Sequence, residues 1–306
     1  MGELWGLLAA VMSSGLGGTS IGATRYLAGA IDPLATGALR FGIGFLLLLP
    51  IAASQRASWP ARRDWPAVAG LGLLFFALFP ILFNASVVYT TAARAALALS
   101  TLPLLTMLAG ALLGAEALTA RKTTGVLIAM LGVALALLSG LSAAPRGAWR
   151  GDLLMIGAAA CMALYSVWSK PVIRRSSPLS FTTMAVGVGA LALIAVTVPR
   201  GGFAPLAAFA LPQWLAVAYL GVFGGALTFV LWAFALGRIT PTLVAVSITV
   251  NPVTASMVGA LLLHEPLRWN LLAGIVTVFI GICIATTGGG RAARPWTMPQ
   301  RKPLRP

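Results

Sequence analysis

Few side chains in this sequence can hold a charge or move a proton, so those that stand inside apolar stretches are the informative ones: among 306 residues there are six Asp plus Glu, one His and 21 Lys plus Arg. Arg40, in Leu39-Arg40-Phe41, lies well within an apolar run, where a guanidinium is costly and usually faces a protein interior or a wet cavity. It suits the carboxylate of a bound solute. An arginine there also snorkels to an interface or holds the backbone carbonyls of a neighbouring helix. Asn84 and Asn251 fall near the middle of apolar runs, where an amide must find partners. Ser13, Ser14, Gly15, Gly17, Gly18, Thr19, Ser20 and Gly22 give the first run a small, polar centre. The Gly18/Gly22 spacing permits close helix packing, and the clustered hydroxyls, Ser14 and Thr19 among them, equally suit the wall of a cavity. Tyr165, Trp168 and Trp232 offer aromatic walls, or ordinary interior and interfacial aromatics.

Pro103 and Pro252 remove a backbone donor inside helical runs and are expected to kink them, as hinges or as static bends. Glu116 and Glu265 end their runs before tight turns, either as gate or proton-carrying charges or as carboxylates stabilising the start of the next helix. His264 is a lone interfacial histidine. Nothing assembles into a reactive centre: there is no H-E-x-x-H, no G-x-S-x-G and no acid pair within a run. Cys161 and Cys283 sit in apolar segments as small hydrophobes. No enzyme, metal site or cofactor is expected.

The elements that must position these residues are long apolar helices. With 59% hydrophobic and 9% charged residues and a mean hydropathy of +0.95, the chain lacks the polar surface of a water-soluble protein. Runs of roughly 20 residues recur, each long enough to cross a hydrocarbon core. Their limits predict helices at 3–28, 33–53, 65–89, 91–114, 121–141, 151–172, 180–199, 211–237, 241–263 and 268–287. The net charge of +15 lies in short connections and a tail, not on one amphipathic face, so the expected partner is the lipid bilayer and not nucleic acid. With the N-terminus inside, 14 basic residues fall on the cytoplasmic side and six outside. The positive-inside rule then places both termini in the cytoplasm of a plasma (inner) membrane.

Shifting the sequence by 149 residues superposes Trp65 on Trp214, Gly72 on Gly221, Pro103 on Pro252, Gly110 on Gly259, Glu116 on Glu265, Gly125 on Gly274 and Gly132 on Gly281. Two of the three glutamates coincide, which chance pairing of common apolar residues does not produce. The predicted fold is all-α integral membrane: ten transmembrane helices as two inverted five-helix repeats, residues 1–145 and 150–290, with a disordered basic tail at 291–306. The copies are inverted because five spans is an odd number. Inverted repeats recur in transporters, where two halves tilt about a central site. Their side chains differ, since the second copy is bulkier, with Tyr165, Ser166, Trp168 and Ser169 where the first has Leu16, Gly17, Thr19 and Ser20.

The segment Pro103 to Gly132, its copy Pro252 to Gly281, and Leu39-Arg40-Phe41 resemble the EamA-type members of the drug/metabolite transporter superfamily over residues 3–287. The family commonly has Gly before the glutamate, where this sequence has Ala115 and His264. The resemblance implies a secondary carrier of a small-molecule solute, often an exporter of amino acids or related metabolites, with a second copy of the chain as a candidate partner. A channel or a non-transporting receptor is the alternative, although nothing resembles a filter loop of repeated carbonyls.

Overall fold

The structure, a computed structural model, describes residues 2–27, 29–54, 58–90, 98–141, 147–251, 254 and 269–286. Pro252, His264, Glu265 and the tail at 291–306 lie outside the described residues. The elements are helical throughout the described residues: α1 (Gly2–Leu27), α2 (Pro33–Ser54), α3 (Trp65–Gly72) and α4 (Phe79–Tyr89), joined by a π-helical segment at Leu73–Leu78. Then come α5 (Leu102–Leu112), α6 (Ala120–Leu141), α7 (Ala148–Arg175), α8 (Pro178–Thr197), α9 (Leu211–Tyr219), a second π-helical segment at Leu220–Leu227, α10 (Thr228–Arg238), α11 (Pro241–Val246) and α12 (Trp269–Thr286).

Local chemistry sets the ends. Asp32 Oδ1 accepts from the amides of Leu34 at 2.7 Å and Ala35 at 3.3 Å, with Pro33 in the first turn of α2. Ser177 Oγ likewise takes the Ser180 amide at 3.0 Å ahead of Pro178 in α8. Each is an N-cap that satisfies amides the helix cannot. At the far end of α5, Gly114 has φ +68°, Ala115 N donates to Gly110 O at 2.7 Å and Gly114 N to Ala111 O at 3.1 Å. These two bonds make a Schellman turn, whose left-handed residue favours glycine.

Five helical stretches are long and apolar enough to cross a bilayer: Pro33–Ser54, Arg62–Ser86, Ala148–Arg175, Pro178–Arg200 and Leu211–Arg238. Large apolar side chains such as Leu46, Leu112, Leu131 and Leu191 point outward, as lipid requires and water does not. The chain is a multi-pass membrane protein.

Helices 2 and 8 pack on each other, as do 6 and 12, 4 and 7, and 1 and 10. The α6–α12 pair touches backbone to backbone. A Cβ on Gly125 would meet Gly281 O at 2.7 Å, one on Gly132 would meet Gly274 O at 2.8 Å, and one on Gly281 would meet Gly125 O at 2.7 Å. Small residues at such crossings let helices approach where lipid gives no hydrophobic drive. The main core lies among α2, the Leu73–Leu78 segment, α7, α8 and α10, and includes Phe41, Phe75, Phe76, Tyr165, Phe181, Phe229 and Trp232.

Two predicted helices differ in detail. The run predicted over 91–114 breaks at Ser100–Thr101, so Pro103 lies in the first turn of α5 instead of kinking a helix from inside. Thr101 folds back on Ala98, its amide at 3.2 Å and its hydroxyl at 2.6 Å from that carbonyl. A first-turn proline forfeits no helical bond, so the freed carbonyl expected one turn back is not created. The run predicted over 241–263 opens with the six-residue α11 and a 3-10 turn at Ser247–Thr249.

Candidate functional site

Polar groups of the bundle gather around the π-helical segment Leu220–Leu227 and the start of α10. A π segment widens the backbone spiral and leaves carbonyls open to side-chain donors. Thr228 Oγ1 donates to Phe223 O at 2.7 Å, Ser13 Oγ to Thr228 O at 2.7 Å and Thr182 Oγ1 to Phe229 O at 3.4 Å. Arg40 Nη2 donates to Gly224 O at 2.8 Å. Helices α1, α2 and α8 therefore all send donors to one stretch of main chain.

Arg40 does not snorkel. Its Cζ lies 5.6 Å from the Phe41 ring centroid and 5.8 Å from that of Phe229, within cation–π range. Its Nε is buried without a partner, and among the described residues no carboxylate pairs with it. The site is cut to shape by glycine: a Cβ on Gly224 would stand 2.9 Å from Ser20 Oγ and 3.1 Å from Arg40 Nε, and one on Gly225 would overlap the Arg40 carbonyl. Behind the guanidinium, Phe41, Phe76 and Phe229 contact one another at centroid distances of 4.9–5.7 Å. Phe75 stacks on Tyr165 at 4.5 Å. A cation with a spare donor against an aromatic cluster can bind an anionic group attached to an apolar body.

The other expected site residues divide. Tyr165 and Trp232 are buried in the same core, and Tyr165 OH, Trp232 Nε1 and the Ser169 hydroxyl one turn from Tyr165 lack partners. Trp168 is 38% exposed and points away from that core. Ser14 is committed to packing, its hydroxyl 2.9 Å from that of Ser247, which also donates to Ala10 O. Thr19 pairs with Tyr219 OH at 2.7 Å. Asn251 keeps an unpartnered Oδ1 and packs its amide against Gly17. Asn84 is partly buried in α4.

Glu116 sits at the end of the bundle where α5 stops and α11 starts. The Schellman turn folds it over Gly110, and its carboxylate bonds Lys122 Nζ at 3.0 Å and the Thr242 amide at 3.0 Å. It thus caps α11, 126 residues along the chain, and not the helix that follows it. Sequence reasoning missed Lys170, whose Nζ donates to Ile239 O beside that cap; a lysine within an apolar run was the available signal. It also missed Thr182, Thr228 and the Gly224–Gly225 pair, whose signal was two adjacent glycines within a span.

Known proteins bear on this arrangement. A solved crystal structure superposes with a TM-score of 0.75 over 94% of this chain and 98% of its own, at 23% identity, a likeness of fold. An uncharacterized transporter of Archaeoglobus fulgidus is 25% identical over 87% of this chain and 93% of its own. A protein of Pseudomonas aeruginosa is 31% identical over 87% and 88%. A probable terminal-alkyne amino-acid exporter of Streptantibioticus cattleyicolor is 27% identical over 67% and 68%. The profile of the EamA-like transporter family matches residues 1–138 and again 149–287. Two matches that together span nearly the whole chain, over a helical membrane bundle with a partly buried arginine inside it, are decisive: this chain belongs to the EamA-like transporter family.

Proposed function

We propose that the protein is a secondary transporter that exports small metabolites, amino acids or related compounds, by alternating access between two inverted five-helix units. The units are residues 1–145 and 150–290, set in the plasma (inner) membrane with both termini cytoplasmic. On that topology the Glu116 end of the bundle faces the cytoplasm and Arg40 lies toward the outer side. The observation that carries the reading is Arg40: a guanidinium inside the bundle, bonded to one carbonyl, with a free donor and no carboxylate partner among the described residues. A charge so poorly matched within a membrane-spanning bundle is a functional group by default. The solute's carboxylate supplies the missing anion. The amino-acid exporter among the relatives agrees with that choice of solute.

The test is flux of radiolabelled amino acids and related metabolites in proteoliposomes. Arg40→Ala should raise KM by about thirtyfold or more, the equivalent of about 2 kcal/mol for a truncated charge pair, while Arg40→Lys recovers part of it. Counterflow against unlabelled solute distinguishes a carrier from a channel. Flux indifferent to Arg40→Ala would remove Arg40 from the pathway.

A further inference from the structure

The end of the bundle around α11 holds more positive than negative charge. Glu116, whose side chain is 3% exposed, is the carboxylate there. Lys122 bonds it directly, and the charges of Glu116, Lys122 and Arg174 all act on Lys170. Among the described residues Lys122 pairs with that carboxylate and Lys170 and Arg174 add two further cations, while the adjoining Arg175 is matched by Asp64. Lys170 has a backbone carbonyl, Ile239 O, where it would otherwise take an anion. Glu116 is also the group that joins the α5–α6 turn to the head of α11, through the Thr242 amide. Next to that bond the hydroxyls of Thr240 and Thr242 are buried without partners.

The carboxylate is held there by the turn behind it and not by the helix it caps. Both Ala115 N and Glu116 N donate to Gly110 O, at 2.7 and 3.0 Å, and the Glu116 side chain lies over Gly110, where a Cβ would stand 3.4 Å from Glu116 Cβ. A side chain placed by its own turn can leave α11 without unfolding α11. The surplus of positive charge means that a second carboxylate entering the cluster is attracted and then competes with Glu116 for the same amines.

We propose that Glu116 is a tethered stand-in for the solute's carboxylate: it bridges Lys122 to α11 and holds this end shut until an entering carboxylate takes Lys122 and Lys170 and releases Thr242. This rests on the transporter reading above and gives it a mechanism for admitting only anionic or zwitterionic solutes. Entry of the solute and opening of this end are then one exchange that precedes its binding at Arg40, so the empty carrier stays closed here.

The experiment reads opening without flux, so its failure is separable from a failure of transport. Full-length protein carrying Cys161→Ser, Cys283→Ser and Thr242→Cys is labelled with a maleimide in detergent. The Thr242 amide survives the substitution, and the side chain is fully buried, so labelling reports opening. The probe is a mixture of the standard amino acids without cysteine, compared with the corresponding amino alcohols, which lack the carboxylate. The expected result is slow labelling that amino acids accelerate about tenfold, a factor ordinary for two linked sites, and that amino alcohols leave unchanged. Glu116→Gln should label at the fast rate without probe and respond no further. Glu116→Asp, which keeps the charge but shortens the reach, serves if the Gln variant fails to elute as a monodisperse species. Slow labelling in both folded variants overturns the latch. Fast labelling in Glu116→Gln combined with a parent indifferent to amino acids overturns the exchange.

Discussion

Adjacent glycines in the second π segment make a sharp test of whether Arg40 works where it stands. A Cβ on Gly224 would lie 2.9 Å from Ser20 Oγ, 3.1 Å from Arg40 Nε and 3.3 Å from Arg40 Cζ. All three are far ends of side chains, so a shift of a few tenths of an ångström absorbs the methyl. Against that small strain, alanine in place of glycine in a helix returns about 0.5–1 kcal/mol, and the net change in stability should fall within about 1 kcal/mol. A Cβ on Gly225 meets the Arg40 carbonyl instead, main chain against main chain. Helix α2 must then move off the π segment, at about 1–3 kcal/mol. Gly224→Ala should therefore elute and melt like the parent yet lose transport, because the methyl fills the space beside Nε where the solute's carboxylate binds. Gly225→Ala should melt lower and lose transport through the fold. Melting followed by size-exclusion elution, with flux in proteoliposomes, separates the two. A Gly224→Ala protein that transports at the parental rate refutes the placing of solute at Arg40.

Two further outcomes follow from the packing. Gly281→Val puts atoms where Ala129 N and Gly125 O stand 2.5 and 2.7 Å from a Cβ, and should lower the melting temperature by about 4 °C or more; Gly42→Ala, with nothing within 4 Å, should not. The Arg175–Asp64 pair at 2.9 Å has its arginine 41% and its aspartate 12% exposed, and Asn keeps an oxygen to accept from the guanidinium, so Asp64→Asn should cost about 1 kcal/mol and shift the melting curve only slightly.

Much of the bundle was legible because lipid makes the rules strict. Uncharged runs must be spans, and the glycines at 125, 132, 274 and 281 mark the α6–α12 crossing that the structure contains. Arg40 stood out because its charge is improbable where it is. What escaped depended on partners far away in sequence. Glu116 looks like a residue that starts its own next helix, and only the fold brings it to α11. The π segments have no residue code of their own: Leu220–Leu227 shows a run of glycines, but the i to i+5 pattern arises from packing against α1 and α2. Trp168 matches the polar centre of the first span in the second copy, but a match in sequence does not fix which way the ring faces, and it is 38% exposed. Between Cys161 and Ile173 helix α7 is mostly buried, and Leu164, Trp168, Lys170 and Pro171 are its less covered positions.

The two crossings that flank the aromatic cluster bear on what kind of solute the proposal requires. Arg40 and Gly189 stand 149 residues apart, as do Phe76 and Gly225. Gly225 abuts the main chain of Arg40, and Gly189 abuts Phe76. Each crossing thus pairs one large residue with one glycine, but the glycine is on the π segment in one and on α8 in the other. Had the crossings stayed alike, the interior would present two like groups, two cations or two rings. The exchange of roles places a guanidinium at one and a phenyl ring at the other, and Phe41 and Phe229 join them at 5.7 Å. On the proposed transporter reading, two unlike ends suit a solute that itself has two, a carboxylate and an apolar side chain. The same logic explains why a duplicated scaffold would keep an arginine inside the bundle in only one copy: a second cation would repel the first across the cluster, whereas a ring there adds apolar contact without another charge to desolvate.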